Sequence, residues 1–119
     1  MLMAKPWDHA IESSRKFGGK PEDYFEIHQM IDSSKSAHAT MKHRCVFHNS
    51  FGIYLIERIF GINITNSNGK LVSVREIAEL HVLSDLGKIP SLDDWMKEME
   101  LKPWMGQPTK VVYEYKLGE

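Results

Sequence analysis

The chain has 119 residues and a mass of 13.8 kDa, with 42% hydrophobic and 26% charged side chains. That is the length of one domain, and burying roughly two-thirds of the extended chain's surface gives a core without disulfide or metal staples. Fifteen basic and sixteen acidic residues leave a formal charge of −1, which removes the bulk electrostatic attraction to nucleic acid or an anionic membrane.

Pro6 to Phe17 reads as a first helix, opened by Pro near its first turn and stopped by Gly18-Gly19. Pro21 to about Ser33 reads as a second, with Glu22 and Asp23 in the first turn and Tyr24, Ile27 and Ile31 as its apolar stripe. Lys35 to Phe60 reads as one long helix, bent at Gly52 and closed by Gly61. Then the period changes. Ile62-Asn63-Ile64-Thr65 and Leu71-Val72-Ser73-Val74 flank Asn66–Lys70, whose Asn68-Gly69 step signals a β-hairpin. Ser73 and Glu76 have capping-box spacing and open a fourth helix to Leu86, ended by Gly87. Ser91 caps a short fifth helix through Glu100. The tail Lys110–Lys116 has β-type composition and either pairs or lies loose. The expected architecture is mainly α: one domain over residues 1–119, a bundle of four or five helices with one hairpin, its core about residues 6–105 and residues 106–119 a strand-like or loose tail.

One cysteine, Cys45, excludes an internal disulfide framework, Cys-rich zinc modules and iron–sulfur clusters. It suits a reducing compartment, so a cytoplasmic protein is expected. No stretch approaches the 18 or so apolar residues of a membrane span. Trp7, Trp95 and Trp104, with Met96, Met99 and Met105, have the composition of core or of a self-association patch, and a homodimer is the expected assembly.

Six histidines are the one compositional oddity. His28 belongs to the stripe of Tyr24 and Ile31, with Asp32 four residues on. His81 shares a stripe with Val74, Ile77 and Ala78, with Asp85 four residues on. His48 falls in the row Arg44, His48, Phe51, Leu55, Ile59 of the long helix. Three helices thus carry a core-facing histidine with a charged residue one turn away. An unpaired buried imidazole costs about 1–3 kcal/mol, so each needs a partner. Converging imidazoles and carboxylates are ligands for zinc, manganese or iron. The candidate metal ligands are therefore His28, His48 and His81, with Asp32 or Asp85 as a fourth ligand or an orienting group. His43 and Arg44 face substrate or the outer shell. Metal-assisted hydrolysis is the chemistry such a site would support. The alternative is a non-catalytic, self-associating or partner-binding protein whose His, Asp and Arg groups form an internal polar network.

The remaining candidates have plain readings. His9 follows Asp8 and is expected in solvent. His43 lies about 140° round a helix from His48, too far to face the same point squarely. Cys45 reads as a small buried helix residue and Glu57 as a solvated or interhelical acid. Gly18-Gly19-Lys20 lacks the spacing of a phosphate loop. Arg44 reads either as a bidentate hold for a carboxylate or phosphate or as an internal partner of Asp32 or Asp85.

The stretches Phe17-Gly18-Gly19, Glu22-Asp23-Tyr24, Ile27-His28, Asp32–Lys35, His43-Arg44 with His48, Phe60-Gly61, Asn68-Gly69-Lys70, Val74–Glu79, His81, Asp85-Leu86-Gly87, Ile89-Pro90 and Asp94-Trp95 resemble those of a family of small uncharacterised bacterial and phage proteins, a domain of unknown function. The resemblance implies no activity. It implies a pattern centred on His28, His43-Arg44, His48 and His81, with Ser84 standing where an acid is expected.

Overall fold

The computed structural model describes residues 5–106. Helix α1 spans Pro6–Phe17 and ends where the Gly18 amide, at a φ of 86°, donates to the Ser14 carbonyl. It buries His9, Ala10 and Ser13. The expected second helix is divided: a 3-10 turn at Pro21–Asp23 is followed by α2, Phe25–Ile31. Tyr24 sits at the joint with a φ of −115°, outside the helical range. Its buried phenol donates to the Gly18 carbonyl at 2.6 Å, which ties the joint to the end of α1.

The long helix expected over 35–60 does not form. In its place are 3-10 turns at Ser33–Ser36 and Met41–Cys45, then α3, Ser50–Phe60. Short polar side chains compete for the backbone there. Thr40 Oγ1 accepts from the Lys42 amide. Asn49 Oδ1 accepts from the Gly52 amide at 2.7 Å, while its Nδ2 donates to the Cys45 carbonyl at 2.8 Å. Asn49 therefore starts a new helix instead of continuing an old one. Gly52 is not a bend but a close approach: a Cβ there would lie 2.3 Å from the Phe47 carbonyl oxygen. The expected apolar row fails with the helix. Phe51 and Ile59 are about half exposed, and α3 buries Gly52, Ile53 and Ile56 instead.

Strands β1 (Asn63–Thr65) and β2 (Leu71–Ser73) pair antiparallel, with Ile64 opposite Val72. Asn66 organises the turn, its Oδ1 accepting from the Asn68 and Lys70 amides. The Ser73 hydroxyl then caps α4, Val74–Leu86, by accepting from the Glu76 amide. Gly87 ends it in the left-handed conformation. Helix α5 covers only Leu92–Met96 and stops short of Glu100.

Helices α1 to α4 pack around Tyr24, Ile27, Ile31, Ile56, Ile77 and Val82, all essentially inaccessible. The tryptophan and methionine set is not core: Trp7, Met96, Met99 and Trp104 are exposed, Trp104 by 81%. Among the described residues no helix is long and apolar enough to cross a membrane. The Lys110–Lys116 segment lies outside the described residues.

Candidate metal centre

Four chain segments meet at a buried polar cluster. Helix α2 supplies His28, and Asp32 follows directly after its last turn. Helix α4 supplies His81 and, one turn on, Asp85. His48 comes from the turn ahead of α3, held by the indole N–H of Trp95 donating to its carbonyl at 2.9 Å. Helix α1 supplies His9 and Ser13. All four imidazoles are buried.

Two carboxylates and two rings share one point. His48 Nε2 lies 2.9 Å from Asp85 Oδ2 and 3.5 Å from Asp32 Oδ1. His81 Nε2 lies 3.1 Å from Asp32 Oδ1 and 3.3 Å from Asp85 Oδ2. Four donors around a tetrahedral ion at about 2.0–2.1 Å would stand about 3.3–3.4 Å apart. The four N···O edges bracket that value, so this quartet can hold a divalent cation.

His28 does not join that point. It stands behind His81, with the two Nδ1 atoms 2.8 Å apart. On its far side the His28 Nε2 meets the Ser13 hydroxyl at 2.7 Å. The result is a chain of hydrogen bonds from α4 through α2 to α1.

His9 corrects the expectation of a solvated residue. It is 1% exposed, its ring lies on that of His81, and its Nε2 is 3.2 Å from Asp85 Oδ1. The signal was available. His9, Ser13 and Phe17 recur every four residues, which puts them on one face of α1.

Electrostatics follow from this packing. Burial, helped by the neighbouring His81 and His9, depresses the His28 pKa to about 2, so that ring is neutral. Burial also lowers His48, against the pull of Asp85. Burial acts the same way on His81, but hydrogen bonds to Asp32 and Asp85 outweigh it and raise its pKa. Asp85 is pushed up by burial and pulled further down by hydrogen bonds from His48 and His81, ending well below the usual carboxylate range. Arg44 Nη2 stands 3.7 Å from Asp85 Oδ1, which is the internal ion pair expected from sequence.

His43 reaches the edge of the cluster, its ring 6.4 Å from that of His48. The Ser34 hydroxyl donates to the His43 carbonyl at 2.8 Å, so its oxygen is left to accept from His43 Nδ1–H at 3.3 Å. His43 Nε2 is then a lone-pair acceptor, buried and without a protein partner. His38 remains exposed, bonded to Thr40. Cys45 ends a 3-10 turn and is only half-buried. Glu57 lines a separate hollow beside Arg75 and Glu79. Ser84 is exposed.

A cleft of about 1030 Å³ opens beside the cluster, with Asp32, His43 and Arg44 in its wall. Asp32 is the least buried of the four facing groups, its side chain 15% exposed against 4% for Asp85.

No curated protein and no solved structure matches the chain. A family described as a domain of unknown function, DUF6915, matches residues 4–105. The match covers most of the chain, the whole buried cluster included, and this protein therefore belongs to the DUF6915 family.

Proposed function

We propose that this protein binds one divalent transition-metal cation through His48 Nε2, His81 Nε2, Asp32 Oδ1 and Asp85 Oδ2. The observation that carries this reading is the set of four N···O edges, 2.9 to 3.5 Å, around a single buried point. Two imidazoles and two carboxylates suit zinc first, with iron and manganese as competitors. His28 holds His81 from behind, as outer partners of metal-bound histidines do, and Arg44 and His9 flank the second oxygen of Asp85.

The chemistry we assign is metal-assisted hydrolysis. A cation that took a fifth donor on the more open Asp32 side would hold a water there and lower its pKa toward neutrality. The cleft on the Asp32 side gives water and substrate a way in, and His43 Nε2 offers an acceptor for the proton released.

A second reading has its own support. The pairs His48–Asp85 and His81–Asp32 have the lengths of ordinary hydrogen bonds, so the cluster can serve as a purely structural polar network. Elemental analysis of protein purified without a histidine tag separates the two. The cation reading expects near-stoichiometric zinc, iron or manganese, lost in His48→Ala and His81→Ala while far-UV circular dichroism stays helical. Metal-free protein, whose melting moves neither with chelator nor with added zinc, would leave the network reading.

A further inference from the structure

The cleft beside Asp32 carries Lys5, Lys35, Arg44, Glu26 and His43 in its wall, with Met30 and Phe60 as its apolar side. Arg44 is only 7% exposed, yet its Nε has no partner, and its nearest carboxylate oxygen is as far as 3.7 Å. A buried guanidinium with unused donors in the wall of an open cleft is a site for an oxyanion. Among the described residues neither Lys5 nor Lys35 is in an ion pair.

Charge then selects the class of anion. Lys5, Lys35 and Arg44 are balanced by Glu26, Asp32 and Asp85. A divalent cation in the quartet leaves a surplus of two positive charges at the cleft. A phosphate monoester carries about −1.5 to −2 at neutral pH. Where the cation takes one as a fifth donor, its three terminal oxygens can meet the cation, the guanidinium and a lysine together, which a planar carboxylate cannot do. The apolar side of the cleft suits an organic group.

We infer that the cleft binds a phosphate monoester of an apolar or aromatic alcohol, with the phosphate between the cation and Arg44 and the organic group against Met30 and Phe60. This rests on the cation reading, because the ion is what brings the surplus to the two positive charges that a phosphate monoester matches. It also makes the two ligands mutually dependent, since each must raise the other's affinity by the same factor.

The test uses phenylphosphonate, a hydrolysis-resistant dianion of this class, titrated calorimetrically into full-length protein whose zinc content is measured first. Binding to the zinc-loaded protein is expected to be at least tenfold tighter than to the chelated protein, and tighter than that of benzoate or inorganic phosphate. Lys35→Ala, at an exposed position, and Arg44→Lys should each weaken it severalfold. Zinc-loaded protein that binds phenylphosphonate no better than benzoate, or no better than the chelated protein does, overturns the inference and leaves the cation reading standing. So does affinity unchanged in both variants. Protein that retains no zinc, iron or manganese at all overturns both.

Discussion

His9 lies flat against His81, ring centroids 3.7 Å apart and planes 18° from parallel, and so closes the α1 side of the quartet of His48, His81, Asp32 and Asp85. Its Nε2 stands 3.2 Å from Asp85 Oδ1, the oxygen turned away from the quartet. The ring therefore acts as packing for one proposed ligand and as a polar neighbour for another.

These two roles separate by substitution. His9→Ala removes a buried ring and is expected to cost roughly 3 kcal/mol, read from urea unfolding. His9→Phe keeps the stack and should recover most of that stability, yet weaken zinc about tenfold because Asp85 Oδ1 loses its neighbour. Wild-type stability in both variants would mean that the ring lies in solvent.

The chelated protein should lose stability on mild acidification. His28 stays neutral in the fold, with its pKa near 2, while the unfolded chain takes up a proton at about 6.5. Its contribution is whole above about pH 6.5 and shrinks below it; His48, also lowered, adds in the same sense. Asp85, depressed in the fold, contributes above about pH 3.8 and fades as the pH falls through its folded value. His81 runs the other way: its raised pKa stabilises below about 6.5 and is lost as the pH climbs through the folded value. Stability should therefore peak near neutrality and fall by on the order of 1 kcal/mol per pH unit from about 6 to 4.5. Urea midpoints across that range should flatten in His28→Gln. A flat wild-type curve would contradict the burial of His28.

Zinc uptake should release protons. The raised pKa of His81 keeps a proton on its Nε2, between Asp32 and Asp85, where the cation is proposed to sit. Its Nδ1–H then donates to His28 Nδ1, and His28 Nε2–H donates to the Ser13 hydroxyl. Calorimetry in buffers of different ionisation enthalpy should report about one proton released near pH 6.5, with affinity falling about tenfold per pH unit below that. In ¹⁵N spectra His28 should be the Nε2–H tautomer with and without zinc. An Nδ1–H tautomer in the zinc-loaded protein would break the proposed hydrogen-bond chain.

Gly52→Ala should be more damaging than a helix glycine normally implies, where alanine is usually favoured by about 1 kcal/mol. The new Cβ would collide with the Phe47 backbone, which cannot move without carrying His48. A loss of about 2 kcal/mol or more is expected, together with weaker zinc binding, while Ser84→Ala, on the exposed face of α4, changes neither. A Gly52→Ala protein with unchanged melting would show that the turn yields freely.

Helices α1 and α4 were legible from local rules: Pro6 and Gly18 bound one, and Ser73 and Gly87 the other. The hairpin was equally plain, because Asn66–Gly69 allows little else between two β-branched runs. The core-facing positions of His28 and His81, each one turn from an aspartate, followed from the 3.6-residue period alone. The segment from Ser33 to Asn49 departs from its periodicity. Its apolar spacing suits a helix, but side chains of Thr40 and Asn49 take the backbone donors instead, and periodicity does not register that competition. Which nitrogen of each ring meets which oxygen was beyond any local rule. His48 faces Asp85 across 37 residues of chain and His81 faces Asp32 across 49, so those pairings arise from how α2, α4 and the turn before α3 pack. His9 is the clearest case: its own helix assigns it a face, but burial depends on whether another helix covers that face, which is a property of the packed molecule.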